Sequence, residues 1–382
     1  MACFAAALLA LLALLPWSRA AVFVPALSPL VAFASAVSAR HVEPILLAGF
    51  AVAAVCVVRH RWFCRWACPP GLCADTASRM GSKLGRRCPR TPRFGPAIAI
   101  VILGGACLGY PVLLWLDPLA WFAGLFTPFS PPAVPGARWL LVGGASVILL
   151  SLLLPGIWCH RLCPLGGLQD ALWTTAWRLR PSRWRRSTES AADRSWRFPR
   201  RAVLAGTVGA VWASAVRHAG ATAPRPLRPP GSVDEGRFAG ICIRCGNCIR
   251  ACPTRVIEPD LGQNGIAGLL APVLRFTRDY CLEGCVRCTE VCPSGAIGQL
   301  TPETKLHARI GLPQVDMEHC LLGDDRECAV CRNRCPYEAI SLKFSEEYYT
   351  LEPRVNYERC PGCGACEVAC PTEPKSIFVR PA

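Results

Sequence analysis

The chain has 382 residues, 25 of them Cys, and carries 42 Lys and Arg against 26 Asp and Glu for a formal net charge of +16. That basic excess suggests nucleic acid until it is divided: residues 1–235 hold 25 basic residues against 8 acidic ones, whereas residues 236–382 hold 17 against 18. The positive charge belongs to the apolar half, which argues against a nucleic-acid surface and for membrane topology.

In chain order, residues 2–16 are almost unbroken Ala and Leu and end at Pro16 and Trp17. They are read as a first membrane span, although a spanning helix needs about 20 residues; a signal-peptide core is the competing reading. Residues 22–39 are apolar but punctuated by Pro25 and Pro29, and read as an external loop. Three further spans are expected at about 44–58, 96–116 and 139–157. The loop 59–95 has nine basic residues and one acid, Asp75, and the segment 158–201 has ten against three acids. Between them, 117–138 holds only Asp117 and Arg138. The positive-inside bias then makes 59–95 and 158–201 cytoplasmic and 117–138 external.

An apolar run at 202–216 follows Arg200–Arg201 and ends near Ala213-Ser214-Ala215. It resembles a twin-arginine export signal, with cleavage after Ala215 as one outcome and an ordinary anchor helix as the alternative. The expected organisation is a membrane domain over 1–201 and an anchor or signal helix over 202–219. A Pro-rich linker over 220–235 and a polyferredoxin domain over 236–382 follow. The fold class is thus an α-helical membrane domain of about four spans plus an anchor helix, followed by an α+β bacterial-ferredoxin-like domain. The expected location is the bacterial inner membrane, multi-pass, with the C-terminal domain in the periplasm.

Two C-x3-C-P motifs follow expected spans: Cys64 and Cys68 before Pro69, and Cys159 and Cys163 before Pro164. Together they could supply four ligands to one cluster, or each could hold its own cofactor with help from Cys73 or Cys88. His60 and His160 stand beside them as candidate haem or quinone contacts, though an interfacial His more often snorkels. Trp62, Trp66 and Trp158 fit an interfacial aromatic belt. Of the remaining cysteines, Cys3, Cys56, Cys73, Cys88 and Cys107, most lie in or beside apolar runs, where a free Cys behaves as a small hydrophobe.

The C-terminal half is built on four cysteine runs. They are Cys242, Cys245, Cys248 and Cys252; Cys281, Cys285, Cys288 and Cys292; Cys320, Cys328, Cys331 and Cys335; and Cys360, Cys363, Cys366 and Cys370. A proline follows each run, at Pro253, Pro293, Pro336 and Pro371. The first and last read C-x2-C-x2-C-x3-C-P, the bacterial ferredoxin spacing: three thiolates wrap three corners of a cubane and the fourth reaches a neighbouring one. The middle runs lengthen only the first gap. Sixteen ligands imply four 4Fe–4S clusters. Zinc sites use cysteine pairs a dozen or more residues apart and do not require this run four times. Runs pairing first with second and third with fourth, or nested as first with fourth and second with third, both satisfy the spacing.

Taken together, these motifs resemble accessory proteins of periplasmic nitrate reductase systems. Residues 1 to about 200, with their spans and two C-x3-C-P motifs, resemble NapH-type membrane proteins. Residues from about 196 onward resemble NapG- and MauM-type ferredoxins, through Arg200–Arg201, the C-x7-C-x2-C-x3-C-P third run, the stretch Ala308 to Leu312 and the Cys-Gly-Ala-Cys-Glu core of the fourth run. The resemblance implies an iron–sulfur relay from the quinol pool to a periplasmic c-type cytochrome or reductase subunit, and a possible quinol dehydrogenase component. It is consistent with the lack of a C-x-x-C-H haem motif, a dinucleotide fingerprint or a P-loop. The alternative is a maturation or regulatory polyferredoxin that supports assembly of another metalloenzyme.

Overall fold

The computed structural model describes residues 23–40, 42–86, 91–129, 134–179, 198–220, 225–324, 326–346 and 349–381. The expected span at 2–16 lies outside the described residues, as do Cys3 and Cys88.

The N-terminal half is helical. Its main elements are α1 (Pro29–Ala39), α2 (Leu47–Val58), α3 (Pro69–Lys83), α4 (Gly95–Cys107), α5 (Pro118–Gly124), α6 (Leu140–Leu153), α7 (Pro164–Leu179) and α8 (Phe198–Gly220). Proline begins α1, α3, α5 and α7, where its missing N–H is no loss and its φ already suits a helix. Helix α4 lies at the centre and is packed by α1, α7 and α8, while α3 pairs with α6. Glycine permits the closest of these approaches. A Cβ on Gly167 would collide with the backbone of Gly95 across α4–α7, and one on Gly209 with the carbonyl of Val101 across α4–α8.

Among the described residues, no helix is long and apolar enough to cross a membrane. The apolar runs expected to span are cut by Pro and Gly into α2, α4 and α6, of 12, 13 and 14 residues. At 1.5 Å per residue these reach about 18 to 21 Å, against a hydrocarbon core of about 30 Å. Helix α8 has 23 residues, but Gly, Ala, Ser and Thr dilute its hydropathy, and Arg217 and His218 close it. The membrane domain of four spans and an anchor, and the multi-pass inner-membrane location built on it, are therefore overturned. The assignments of external and cytoplasmic loops fall with the spans. Two supposed external loops are in fact core: Leu30, Val31 and Ala34 of α1 and Leu119, Ala120 and Ala123 of α5 are almost fully buried.

The C-terminal half contains short helices and three two-stranded antiparallel sheets. Strands β1 (Ile257–Pro259) and β2 (Pro272–Leu274) pair, as do β4 (Ile340–Ser345) and β5 (Thr350–Val355). Strand β3 (Leu312–Val315) pairs with the last strand, β6 (Ile377–Arg380), with Val315 opposite Ile377. That pairing returns the end of the chain to the third cysteine run. The two halves share one apolar cluster, which extends from Leu119 and Phe122 of α5 to Ile243 and Cys245 of the first run.

Candidate metal centres

Each ferredoxin-type run folds in the same way. Its third cysteine sits on a one-turn helix, and its fourth follows the end of that turn. The turns are Asn247–Ala251, Arg287–Glu290, Val330–Asn333 and Ala365–Ala369. Gly246 and Gly364 enter the first and last turns at φ 72° and 84°, a left-handed conformation that glycine adopts freely. At Gly364 the need is also steric, because a Cβ would meet the ring of Phe276.

The runs close on one another in adjacent pairs. One cavity is lined by Cys242, Cys245, Cys248 and, from the second run, Cys292. Another is lined by Cys320, Cys328, Cys331 and Cys370, and a third by Cys335, Cys360, Cys363 and Cys366. Cys252 lies with Cys281, Cys285 and Cys288, close enough for their charges to interact. This arrangement follows the first-with-second and third-with-fourth order, not the nested one. The second and fourth groups meet where the Cys281 N–H donates to the Cys363 carbonyl at 3.0 Å. In space, the groups therefore run first, second, fourth, third.

The donor chemistry suits a polynuclear cluster. Among the described residues no group of three or more His, Cys, Asp or Glu side chains is placed to hold a metal ion as it stands. The cysteines instead ring apolar cavities, and those described are free thiols. Burial pushes the thiols of Cys245 and Cys363 up to about 12 and that of Cys331 up to about 11. Four such groups become thiolates together only around a strongly cationic core. Hydroxyls support the fourth positions. The Cys370 Sγ lies 3.1 Å from Thr372 Oγ1 and 3.2 Å from Ser376 Oγ, and these contacts outweigh burial to bring its thiol down to about 7. Thr254 and Ser294 stand at the same step after Cys252 and Cys292. The sequence signal is a Ser or Thr directly after the Cys-Pro, present in three of the four runs.

The two C-x3-C-P motifs also converge. Cys68 is the N-cap of α3 and Cys163 directly precedes Pro164 at the start of α7, so both thiols lie at helix N-termini. The Gly166 N–H donates to Cys163 Sγ at 3.5 Å. Such positions favour thiolate over thiol. Cys64, Cys68, Cys159 and Cys163 are close enough for their charges to interact, and burial pushes Cys64 up to about 12 and Cys159 up to about 11. Of the proposed helpers, Cys73 lies on α3 outside this group of four.

Three residues without a sequence signal complete the site. The Gln169 amide donates to Cys64 Sγ at 3.1 Å, while its buried Oε1 has no partner among the described residues. Arg61 grips Asp170 with two hydrogen bonds of 2.5 Å and donates to the Cys159 carbonyl at 3.3 Å. His60 also binds Asp170, at 2.8 Å, and its ring tilts against Trp173. His160 lies 3.5 Å from Arg61. Gly71 and Gly166 extend each motif to C-x3-C-P-x-G: a Cβ at either would stand 3.4 Å from the first cysteine's carbonyl. Trp66 is half exposed, but Trp158 is buried against Trp121, so its place in an aromatic belt is overturned.

Comparison with known proteins gives the same two regions. The 4Fe-4S dicluster domain family matches residues 241–296 and 326–373, and the 4Fe-4S binding domain family matches residues 41–87 and 136–186. The ferredoxin-type protein NapG of Escherichia coli (strain K12) is 37% identical over 165 residues, 41% of this chain and 70% of that protein. The methylamine utilization ferredoxin-type protein MauM of Methylobacillus flagellatus is 34% identical over 189 residues, 47% of this chain and 80% of that protein. The ferredoxin-type protein NapF of Escherichia coli (strain K12) is 32% identical over 148 residues, 38% of this chain and 80% of that protein. In the N-terminal half the match is to a 4Fe-4S binding domain, and the expected likeness to NapH-type membrane proteins finds no support among these relatives. No solved structure matches.

Proposed function

The chain belongs to the family of NapG and MauM ferredoxin-type proteins and is an iron–sulfur electron-transfer protein; from that premise we propose that five cysteine groups form one electron relay. Four groups, from the sixteen cysteines between Cys242 and Cys370, hold one 4Fe–4S cluster each. Cys64, Cys68, Cys159 and Cys163 hold a fifth. Such clusters, when bound, supply reversible one-electron storage.

The chain's own residues order the sites and exclude water. The N-terminal group is tied to the first ferredoxin group through a shared apolar cluster, and the spatial order first, second, fourth, third continues from there. That serial contact is the observation that carries the proposal. The helix N-termini at Cys68 and Cys163 and the hydroxyls beside Cys370 favour negative charge on sulfur without adding a charged side chain. For the donor we propose a quinol, and for the acceptor a c-type cytochrome or reductase subunit. The ferredoxin-type character of the relatives supports carriage of electrons in this role.

Anaerobically purified protein is the test. About 20 iron atoms and as many sulfides per chain are expected from five cubane clusters. A quinol analogue should reduce them in stopped-flow mixing. Zinc in place of iron overturns the cluster reading, and full iron without reduction by quinol overturns the donor.

A further inference from the structure

Between the two kinds of cysteine site lies a row of tryptophans. Trp158, next to Cys159, packs against Trp121 of α5 with ring centroids 5.2 Å apart and planes at 30°. Trp121 in turn packs against Trp115 at 6.3 Å and 38°. The guanidinium of Arg244 stands over the Trp115 ring at 5.5 Å. Arg244 lines the first ferredoxin cavity and donates to the Cys242 carbonyl at 3.2 Å.

The far end of this row is held firmly. Arg244 takes a left-handed φ of 57°, which is costly for a residue with a side chain, and hydrogen bonds of 2.7 Å to the carbonyls of Leu269 and Ala267 fix it there. Helix α6 packs against this row at Gly143, where a Cβ would lie in ordinary contact with the Trp121 indole, at 3.6 Å. Helix α5 spans the same gap. Asp117 at its start is near enough to Cys163 to raise that thiol, and Gly124 at its end faces the backbone of Arg244 and Cys245. Seven residues make this separation about 10 Å along the helix.

We propose that Trp158, Trp121 and Trp115, ending on Arg244, form the coupling path for electrons between the N-terminal four-cysteine site and the first ferredoxin site. The proposal rests on both sites holding iron–sulfur clusters. One electron leaves the reduced site and arrives at the oxidised one; no bond forms or breaks, and no proton moves. The tryptophans are not themselves oxidised. Their contacting rings replace gaps that would weaken electronic coupling, and their separations fall in the range of direct aromatic contact. A one-electron reductant, here a photoreduced flavin, starts the step.

The experiment uses the full chain, loaded anaerobically, with flash photoreduction and freeze-quench EPR following redistribution between the two sites. Trp121→Leu should keep the iron content and both EPR signals but slow redistribution by an order of magnitude or more. Trp121→Phe, which retains a ring, should stay near the parent rate and guards against a merely structural effect. Equal rates in Trp121→Leu and the parent, with iron intact, overturn the path. Full iron and an unchanged spectrum in Cys64→Ser and Cys159→Ser overturn the N-terminal cluster instead, so the two failures are distinguishable.

Discussion

The two regions bring four cysteines together by opposite routes. In the C-terminal half, each group takes three cysteines from one run of 11 to 16 residues and one from the adjacent run. In the N-terminal half, two pairs 95 residues apart supply two sulfurs each. The first kind is assembled by local loop geometry and needs only short turns with glycine or hydroxyl support. The second exists only after α3 and α7 have packed, and an ion pair between Arg61 and Asp170 and the Gln169 amide hold it together. The contrast suggests that ferredoxin groups tolerate local damage one pair at a time, whereas the N-terminal group stands or falls with the helical bundle.

The largest effects come from removing sulfurs. Cys292→Ala should abolish the same EPR signal as Cys245→Ala, whereas Cys252→Ala should abolish the one lost with Cys285→Ala. Each should remove about four iron atoms. Loss of the Cys285 signal with Cys292→Ala would break the adjacent pairing. In the N-terminal half, Cys64→Ser and Cys159→Ser should each remove one and the same cluster, and the double variant should lose no more iron than either alone. Additive losses would mean that each motif holds its own group, and the comparison drawn above would fail.

How much of this was legible follows the range of the interactions. The four runs could be read directly, because three of every four sulfurs in a group come from one short run of the chain. Their pairing was left open, since it depends on which neighbouring group Cys292 or Cys370 joins. The convergence of Cys64 and Cys68 with Cys159 and Cys163 was one of two readings, and Arg61, Gln169 and Asp170 were not visible at all: Arg61 and Asp170 meet across 109 positions. Hydropathy misled most. Averaging over 96–116 joins α4 to the turn after Cys107, and the supposed external loop 117–138 hides α5, the helix that separates the two kinds of site. Charge-poor and proline-rich composition describes a buried short helix as well as it describes a loop.

A smaller effect is expected at the ion pair. Asp170→Asn leaves the Arg61 guanidinium partly buried without its carboxylate partner, which should cost about 2 kcal/mol of stability, below the range for a fully buried pair. Burial alone would raise the Asp170 carboxyl, but hydrogen bonds from His60 and Arg61 outweigh it and hold the group below the usual range. The stabilisation is therefore full above the unfolded carboxylate value of about 3.9 and is lost as pH falls through the lower folded value. Chemical denaturation from pH 6 to pH 3 checks this. The difference between parent and variant should shrink on acidification. A constant difference would show that the pair is not what holds the two motifs together.

A last effect, comparable in size and opposite in sign, belongs to Asp117. This fully buried residue caps α5, accepting from the amides of Leu119 and Ala120 at 3.0 and 3.3 Å and from Ser28 Oγ at 2.5 Å. Burial outweighs these bonds and raises its carboxyl to about 6. The unfolded chain ionises near 3.9 while the folded one keeps its proton to about 6, so the parent loses stability as pH rises between those values. Asn still accepts the amide hydrogen bonds of an N-cap but carries no charge. Asp117→Asn should therefore gain on the parent from pH 4 to pH 6, by at most about 2–3 kcal/mol, and hold that advantage at pH 7. Because Cys163 lies within electrostatic reach, the same substitution should also ease thiolate formation at the N-terminal group and leave the ferredoxin groups untouched. A variant that weakens steadily with rising pH would mean that the Asp117 charge is wanted there, and that α5 does more than separate the two kinds of site.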